Sequence, residues 1–213
     1  MRYNLHTHLA TNESHVIEIV NLNPQEFNPM PAHFSIGTHP FQANLNTMNA
    51  ELQIIESKLQ QPNCVALGEC GLDKGILIPF HEQKTIFIEQ IKLAEKYNKP
   101  IIVHCVSAYQ EVIQLKKEQR IQVPIIIHGF AKSSLQLAND LIKHDLYLSF
   151  GKHLLVNAKL AEVFKSIPTE HCFLETDSMS NGTIHDMYKK AQALKGLQVD
   201  EIIKTNFKNV FNI

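Results

Sequence analysis

Arginine is nearly missing from this sequence. Of 20 basic residues only Arg2 and Arg120 are arginines. A guanidinium fork is therefore scarce, and any anion site must rely on lysine, backbone N–H groups or a metal ion. An excess of one charge is missing too: the net charge of −1 gives no sign of the basic face that a dedicated nucleic-acid binder carries. No run of about 18 apolar residues occurs, so no membrane span is expected. No basic stretch followed by an apolar one opens the chain, so no secretory leader is expected either. Cys64, Cys70, Cys105 and Cys172 form no CxxC pair and read as reduced, buried thiols of a cytoplasmic protein. The chain lacks a long acidic or basic tail, which gives a binding module little to work with, and no obligate protein partner is evident.

What the chain does have is apolar material in a regular rhythm. Hydrophobic residues make up 44% of 213, enough for a core, and no linker or repeat interrupts them, so one domain over residues 1–213 is expected. Eight β-like runs recur: "YNLHTH" (3–8), "HVIEIVNL" (15–22), "HFSIGTHP" (33–40), "CVALGECGLD" (64–73), "PIIVHC" (100–105), "VPIIIHGF" (123–130), "LYLSFG" (146–151) and "HCFLETD" (171–177). Most are continuously apolar until their last residues, as parallel strands covered on both faces are. Helical segments are predicted over 46–61, 79–98, 107–119, 133–144, 158–167, 183–195 and 200–212. In the second, Ile86, Phe87, Ile91, Ala94 and Tyr97 fall near helical spacing,. Alternation around eight strands argues for an α/β fold of the (β/α)8 TIM-type barrel class. The gaps between the first three strands are too short for full helices, so the barrel is trimmed on that side. A doubly wound open sheet is the alternative.

Polar residues collect where these apolar runs end: His6 and His8, His39, Glu69, His104, His128, and Glu175 with Asp177. The C-terminal ends of barrel strands are where active sites are built. One histidine after an apolar run is ordinarily a hydrogen-bonded core residue, but several strands delivering His or carboxylate to one rim indicate metal. A set without thiolate suits zinc, manganese or magnesium in a hydrolytic site. Two ions bridged by a carboxylate would use this many ligands, activating a water and clamping a phosphate.

The motifs "NLHTH", "GTHP", "ALGECGLD", "PIIVHC", "IIHGF" and "FLETDS", with the tail "NFKNVFNI", together resemble the TatD family of metal-dependent deoxyribonucleases, within the amidohydrolase-like barrels. The resemblance implies two divalent ions. His6 and His8 would bind the first with Asp177 nearby, Glu69 would bridge, and His104 and His128 would bind the second. Asp177 would also take the proton of the attacking water. The implied activity is hydrolysis of DNA phosphodiesters, often from a 3′ end. Three positions depart from the family's pattern. Asn4 stands where Asp is usual and cannot act as a negative partner to a ligating histidine. Val106 replaces a frequent Arg, and Met179 a common Pro. The chain is also shorter than expected of the family. Two other readings stay open: a hydrolase of a small phosphoester or aminoacyl ester on the same metal site, and a non-catalytic metal-binding barrel.

Secondary roles are expected for further residues. Glu175, one layer deeper than Asp177 if the strand continues, reads either as partner to a ligating histidine or as a satisfied core carboxylate. His39 reads as a phosphate contact or as a turn residue before Pro40. Asp73 caps its loop or lies near the substrate. Lys132 and Lys152 are candidate phosphate contacts in place of the missing Arg, with plain surface lysine the simpler reading. Phe41 and Phe130 would stack on a base or pack within the fold.

Overall fold

The computed structural model describes residues 1–25 and 31–213. Its strands are β1 (Arg2–Thr7), β2 (Val16–Leu22), β3 (Phe34–Ile36), β4 (Cys64–Asp73), β5 (Ile101–Val106), β6 (Ile125–Ile127), β7 (Leu146–Phe150) and β8 (Cys172–Leu174). The helices are α1 (Met48–Leu59), α2 (Phe80–Tyr97), α3 (Tyr109–Glu118), α4 (Leu135–Lys143), α5 (His153–Val156), α6 (Ala158–Ser166), α7 (Ile184–Lys195) and α8 (Val199–Phe211). Sheet order follows chain order from β1 to β8, and Thr7 at the end of β1 bridges Asp177, just past β8, in parallel. That is the strand order of the (β/α)8 barrel class and not of the doubly wound open sheet. Among the described residues no helix stands between β1 and β2 or between β2 and β3, as the short spacings require. The one-turn α5 is the helix that the periodicity did not announce.

The chain groups into two compact units, Met1–Val20 with Ile127–Ile213, and Asn21–Ile126. In the first, α8 supplies the core. Phe207 lies 4.9 Å from the Tyr3 ring and 5.1 Å from Phe173, centroid to centroid, and is fully buried. Burying such a side chain contributes about 2–3 kcal/mol. The Tyr188 hydroxyl of α7 accepts from the Tyr3 N–H at 3.0 Å and donates to the Tyr3 carbonyl at 3.2 Å. That pairing anchors the start of β1, the strand that carries His6 and leads into His8.

In the second unit, α2 buries Gln83, Ile86, Phe87, Gln90, Ile91 and Ala94, one continuous helical face. Strands β4 and β5 pair in parallel with Gly71 opposite His104. The glycines of "GECG" permit that closeness. A Cβ at Gly68 would stand 2.4 Å from the Ile102 carbonyl oxygen and one at Gly71 2.1 Å from that of His104, and both have φ near +140°. Only glycine holds that backbone without strain. All four cysteines are free thiols. Burial pushes those of Cys64 and Cys172 up to about 12, so they stay protonated and inert at neutral pH.

Candidate functional site

In the first unit β1 carries His6 on a buried position, and His8 follows just past the strand's end at Thr7. Asp177 meets both: its Oδ1 lies 3.8 Å from His6 Nε2 and 3.3 Å from His8 Nε2. The His6 side chain is wholly buried while that of His8 is 44% exposed, so the group opens to solvent on the His8 side. Backbone contacts hold the carboxylate there. The Asp177 N–H donates to the His6 carbonyl at 2.9 Å, and Asp177 takes a left-handed φ of 51°, which aspartate tolerates better than most residues.

This geometry alters the expected alternation after β8. The strand ends at Leu174, so Glu175 and Asp177 do not continue it as neighbours on one face. Glu175, fully buried, turns to the loop after β6. Its Oε1 accepts from the Gly129 N–H at 2.7 Å and lies 3.4 Å from His128 Nδ1. The His128 ring stands 4.5 Å from that of His6. A carboxylate beside Nδ1 favours the proton there and leaves Nε2 with a lone pair that could ligate a metal.

Asn4 does not sit opposite a histidine, as a substitute for a negative partner would. Its Oδ1 accepts from the Thr176 N–H at 3.0 Å and its Nδ2 donates to Thr176 Oγ1 at 2.8 Å. It therefore staples β1 to the residue between Glu175 and Asp177. Asn4→Leu strands both Thr176 groups in a buried place and is expected to cost about 2 kcal/mol in urea unfolding. Asn4→Asp is expected to cost less, because the Thr176 hydroxyl can reverse and donate. Equal stability of the Leu variant and the natural protein would remove the staple from the account.

The second unit brings His39, Glu69 and His104 together, three donor atoms within 4.8 Å of one another. His104 lies between two carboxylates, with Nδ1 3.0 Å from Glu69 Oε1 and Nε2 3.1 Å from Asp73 Oδ2. Asp73 is thus placed against a histidine, while its other oxygen accepts from the Gly75 N–H at 2.6 Å. With the Nε2 proton directed at Asp73, Nδ1 would have its lone pair toward Glu69 and could share an ion with it. His39 differs. Its Nδ1 accepts from the Phe41 N–H at 3.1 Å, so in the neutral ring the proton sits on Nε2, 3.1 Å from Glu69 Oε1. A nitrogen that carries a proton has no lone pair for a metal, so His39 is a donor aimed at a carboxylate or a phosphate oxygen.

Nitrogen and oxygen donors bind a small divalent ion at about 2.1 Å, which sets two ligands of one tetrahedral ion about 3.4 Å apart. The 3.3 and 3.8 Å separations at Asp177 and the 3.0 Å separation of His104 from Glu69 fit that requirement. All the donors are imidazole or carboxylate, the set expected for a hydrolytic ion rather than a structural one.

The sequence profile of a family described as "TatD related DNase" matches residues 6–213. The chain belongs to this family. The "Uncharacterized metal-dependent hydrolase YabD" of Bacillus subtilis is 37% identical over 147 residues, covering 67% of this chain and 57% of that protein. The "3'-5' ssDNA/RNA exonuclease TatD" of Escherichia coli is 28% identical over 148 residues, 67% of this chain and 56% of that protein. The chain thus matches little more than half the length of either relative. The crystal structure of YJJV, a TatD homolog from Escherichia coli, shares the fold with a TM-score of 0.80 at 21% identity, over 92% of this chain and 86% of that one.

Other members of the expected TatD set lie as follows. Lys132 and Lys152 are exposed, and among the described residues neither pairs with a carboxylate. Phe130 is 1% exposed and packs edge-on against Phe150, which removes it as a base platform. Phe41 is 58% exposed, its ring edge-on to His39 at 4.6 Å. No described helix is long and apolar enough to cross a membrane.

Several supporting residues escaped the sequence reading. Asn21 Oδ1 accepts from the Glu69 N–H at 2.6 Å. Gln83 brackets Asp73, accepting from its N–H at 2.8 Å and donating to its carbonyl at 3.0 Å. Gln90 does the same to Thr38, at 2.8 and 3.2 Å. A signal was present for the glutamines: they sit seven apart on the apolar face of α2, where a polar residue needs a buried partner.

Proposed function

We propose that this chain is a metal-dependent phosphodiesterase of nucleic acid, a deoxyribonuclease of the cytoplasm that uses two divalent ions, whether zinc, magnesium or manganese. The observation that carries the reading is the pair of nitrogen–oxygen donor groups, each containing a carboxylate and partly open to solvent. His6, His8 and Asp177 would hold one ion, and Glu69 with His104 would take part in holding the other. Ions bound there would supply an acidic water and positive charge against the phosphate. Asp177 would accept a proton from the attacking water. Asp73 fixes the ring of His104 and Glu175 that of His128, the outer contacts that orient ligands. His39 offers its Nε2–H to a phosphate oxygen, a role that matters in a chain with so little arginine. Phe41, exposed beside His39, gives a base a ring to stack on. A small phosphoester or an aminoacyl ester would have no use for it.

The test is incubation of the purified protein with end-labelled single-stranded and duplex DNA, adding Mg2+, Mn2+ or Zn2+ in turn. Cleavage that a chelator stops and readdition restores is the expected result. If DNA stays whole under every ion while a small phosphoester is hydrolysed, the nucleic-acid substrate is wrong and the metal site stands.

A further inference from the structure

We propose that the pocket beside His8 and Asp177 is a nucleoside subsite, receiving the sugar and base adjoining the phosphate that is cut. The proposal rests on the nuclease reading and adds to it the group that is recognised. The pocket has a volume of about 330 Å³ and is lined by β1, the residues that follow it and the segment after β8. That is the small end of the range of roughly 300–1,000 Å³ for ligand pockets, room for one nucleoside rather than for a length of strand.

Its chemistry narrows the occupant. Leu9, Met179 and Ile184 form apolar walls, and no lysine or arginine lines it, so it offers no cationic side chain to a second phosphate. Glu13 also lines it, but that carboxylate faces His185 Nε2 at 2.9 Å. A cationic aminoacyl group would therefore have to compete with an existing partner. A neutral, largely flat group with a few polar edges fits best, and the Ser180 hydroxyl is available to such an edge. Because His8 and Asp177 belong to the same lining, whatever fills the pocket continues directly into the metal-binding group. A base joined through its sugar to a phosphate has this shape.

Two apolar residues are placed to make the contact. Leu9 is 80% exposed and lines the pocket, so its side chain is open to an occupant. Met179 stands in the turn that carries Asp177, its N–H donating to the Thr176 carbonyl at 2.9 Å. Its thioether approaches Gly182, where an added Cβ would meet Sδ at 3.4 Å. A flexible, polarisable thioether adapts to the face or edge of an aromatic ring, as a proline at that position would not.

The experiment compares two probes by calorimetry on the Mn2+-loaded protein: deoxyadenosine 5′-monophosphate, and deoxyribose 5-phosphate, which lacks the base. The nucleotide is expected to bind about tenfold tighter, the size of effect that apolar and sulfur–ring contacts give. In the Leu9→Ser, Met179→Ser double variant the two probes are expected to bind alike, the nucleotide having weakened to the level of the sugar phosphate. Both positions lie on surface loops, and an unchanged urea midpoint checks that the variant is folded. Equal binding of the two probes to the natural protein, no binding of either, or a base preference that survives in the double variant each overturns the subsite. DNA left intact by the natural protein while the base preference is present would instead overturn the nuclease reading and leave the subsite standing.

Discussion

The Asp177→Asn protein is expected to lose at least about a thousandfold in kcat on single-stranded DNA, within the range for removal of a general base, while unfolding at the urea concentration of the natural protein. The replacement separates chemistry from scaffold. Asparagine accepts the left-handed backbone that Asp177 adopts,, and the hydrogen bond from its N–H to the His6 carbonyl does not involve the side chain. What changes is the oxygen near His6 and His8, which loses its charge, its affinity for a cation and its capacity to take a proton. Glu69→Gln should behave alike, since its main-chain tie to Asn21 also survives. Steady-state rates at saturating Mn2+, with the urea midpoint recorded beside them, decide the matter. An Asp177→Asn enzyme with most of its rate would remove the residue from the reaction and leave it only a structural part.

Gly71→Ala is expected to be the most damaging single methyl group in the chain. The added carbon would lie 2.1 Å from the His104 carbonyl oxygen, on a backbone with φ of +141°. Strain of the backbone and displacement of the paired strand act together, each costing on the order of 1–3 kcal/mol. The damage also falls on function, because Gly71 stands two residues from Glu69 and directly opposite His104. The expected result is a clear drop in the urea midpoint and no measurable hydrolysis from the folded fraction. Gly151→Ala is the control. Its added carbon would meet the Glu175 Cγ at 3.3 Å rather than backbone at 2.1 Å, and its φ is not left-handed, so a smaller loss is expected. If the two variants are equally stable, the closeness of β4 and β5 is not what fixes glycine at position 71.

Much of this was legible in the sequence because parallel strands leave a plain mark. A buried strand is apolar until it reaches the end where function is placed, so the histidines and carboxylates that interrupt "PIIVHC" or "ALGEC" declare both the strand and its exit. The direction of Glu175 and Asp177 was not legible. It depends on β8 ending at Leu174, and nothing in "FLETDS" marks that residue as the last in the ladder. Nor was the partner of Asn4, since a side-chain bond to a residue far along the chain leaves no local periodicity. The tautomer of His39 escaped for a related reason. It is set by the Phe41 N–H at the first turn of a short 3-10 segment, Pro40–Gln42, whose hydrogen bonding the word "GTHP" does not spell out.

The staple between Asn4 and Thr176 joins residues 172 positions apart, and this has a consequence during synthesis. A ribosome adding roughly 5–20 residues per second releases the two leading histidines on the order of ten seconds before the aspartate that completes their group. Through that interval β1 has its neighbour β2, but the two histidines lack the carboxylate that faces both of them. On the metal reading proposed above, the first group is complete only once the last strand has arrived, and the choice of ion would be a property of the finished protein rather than of the growing chain.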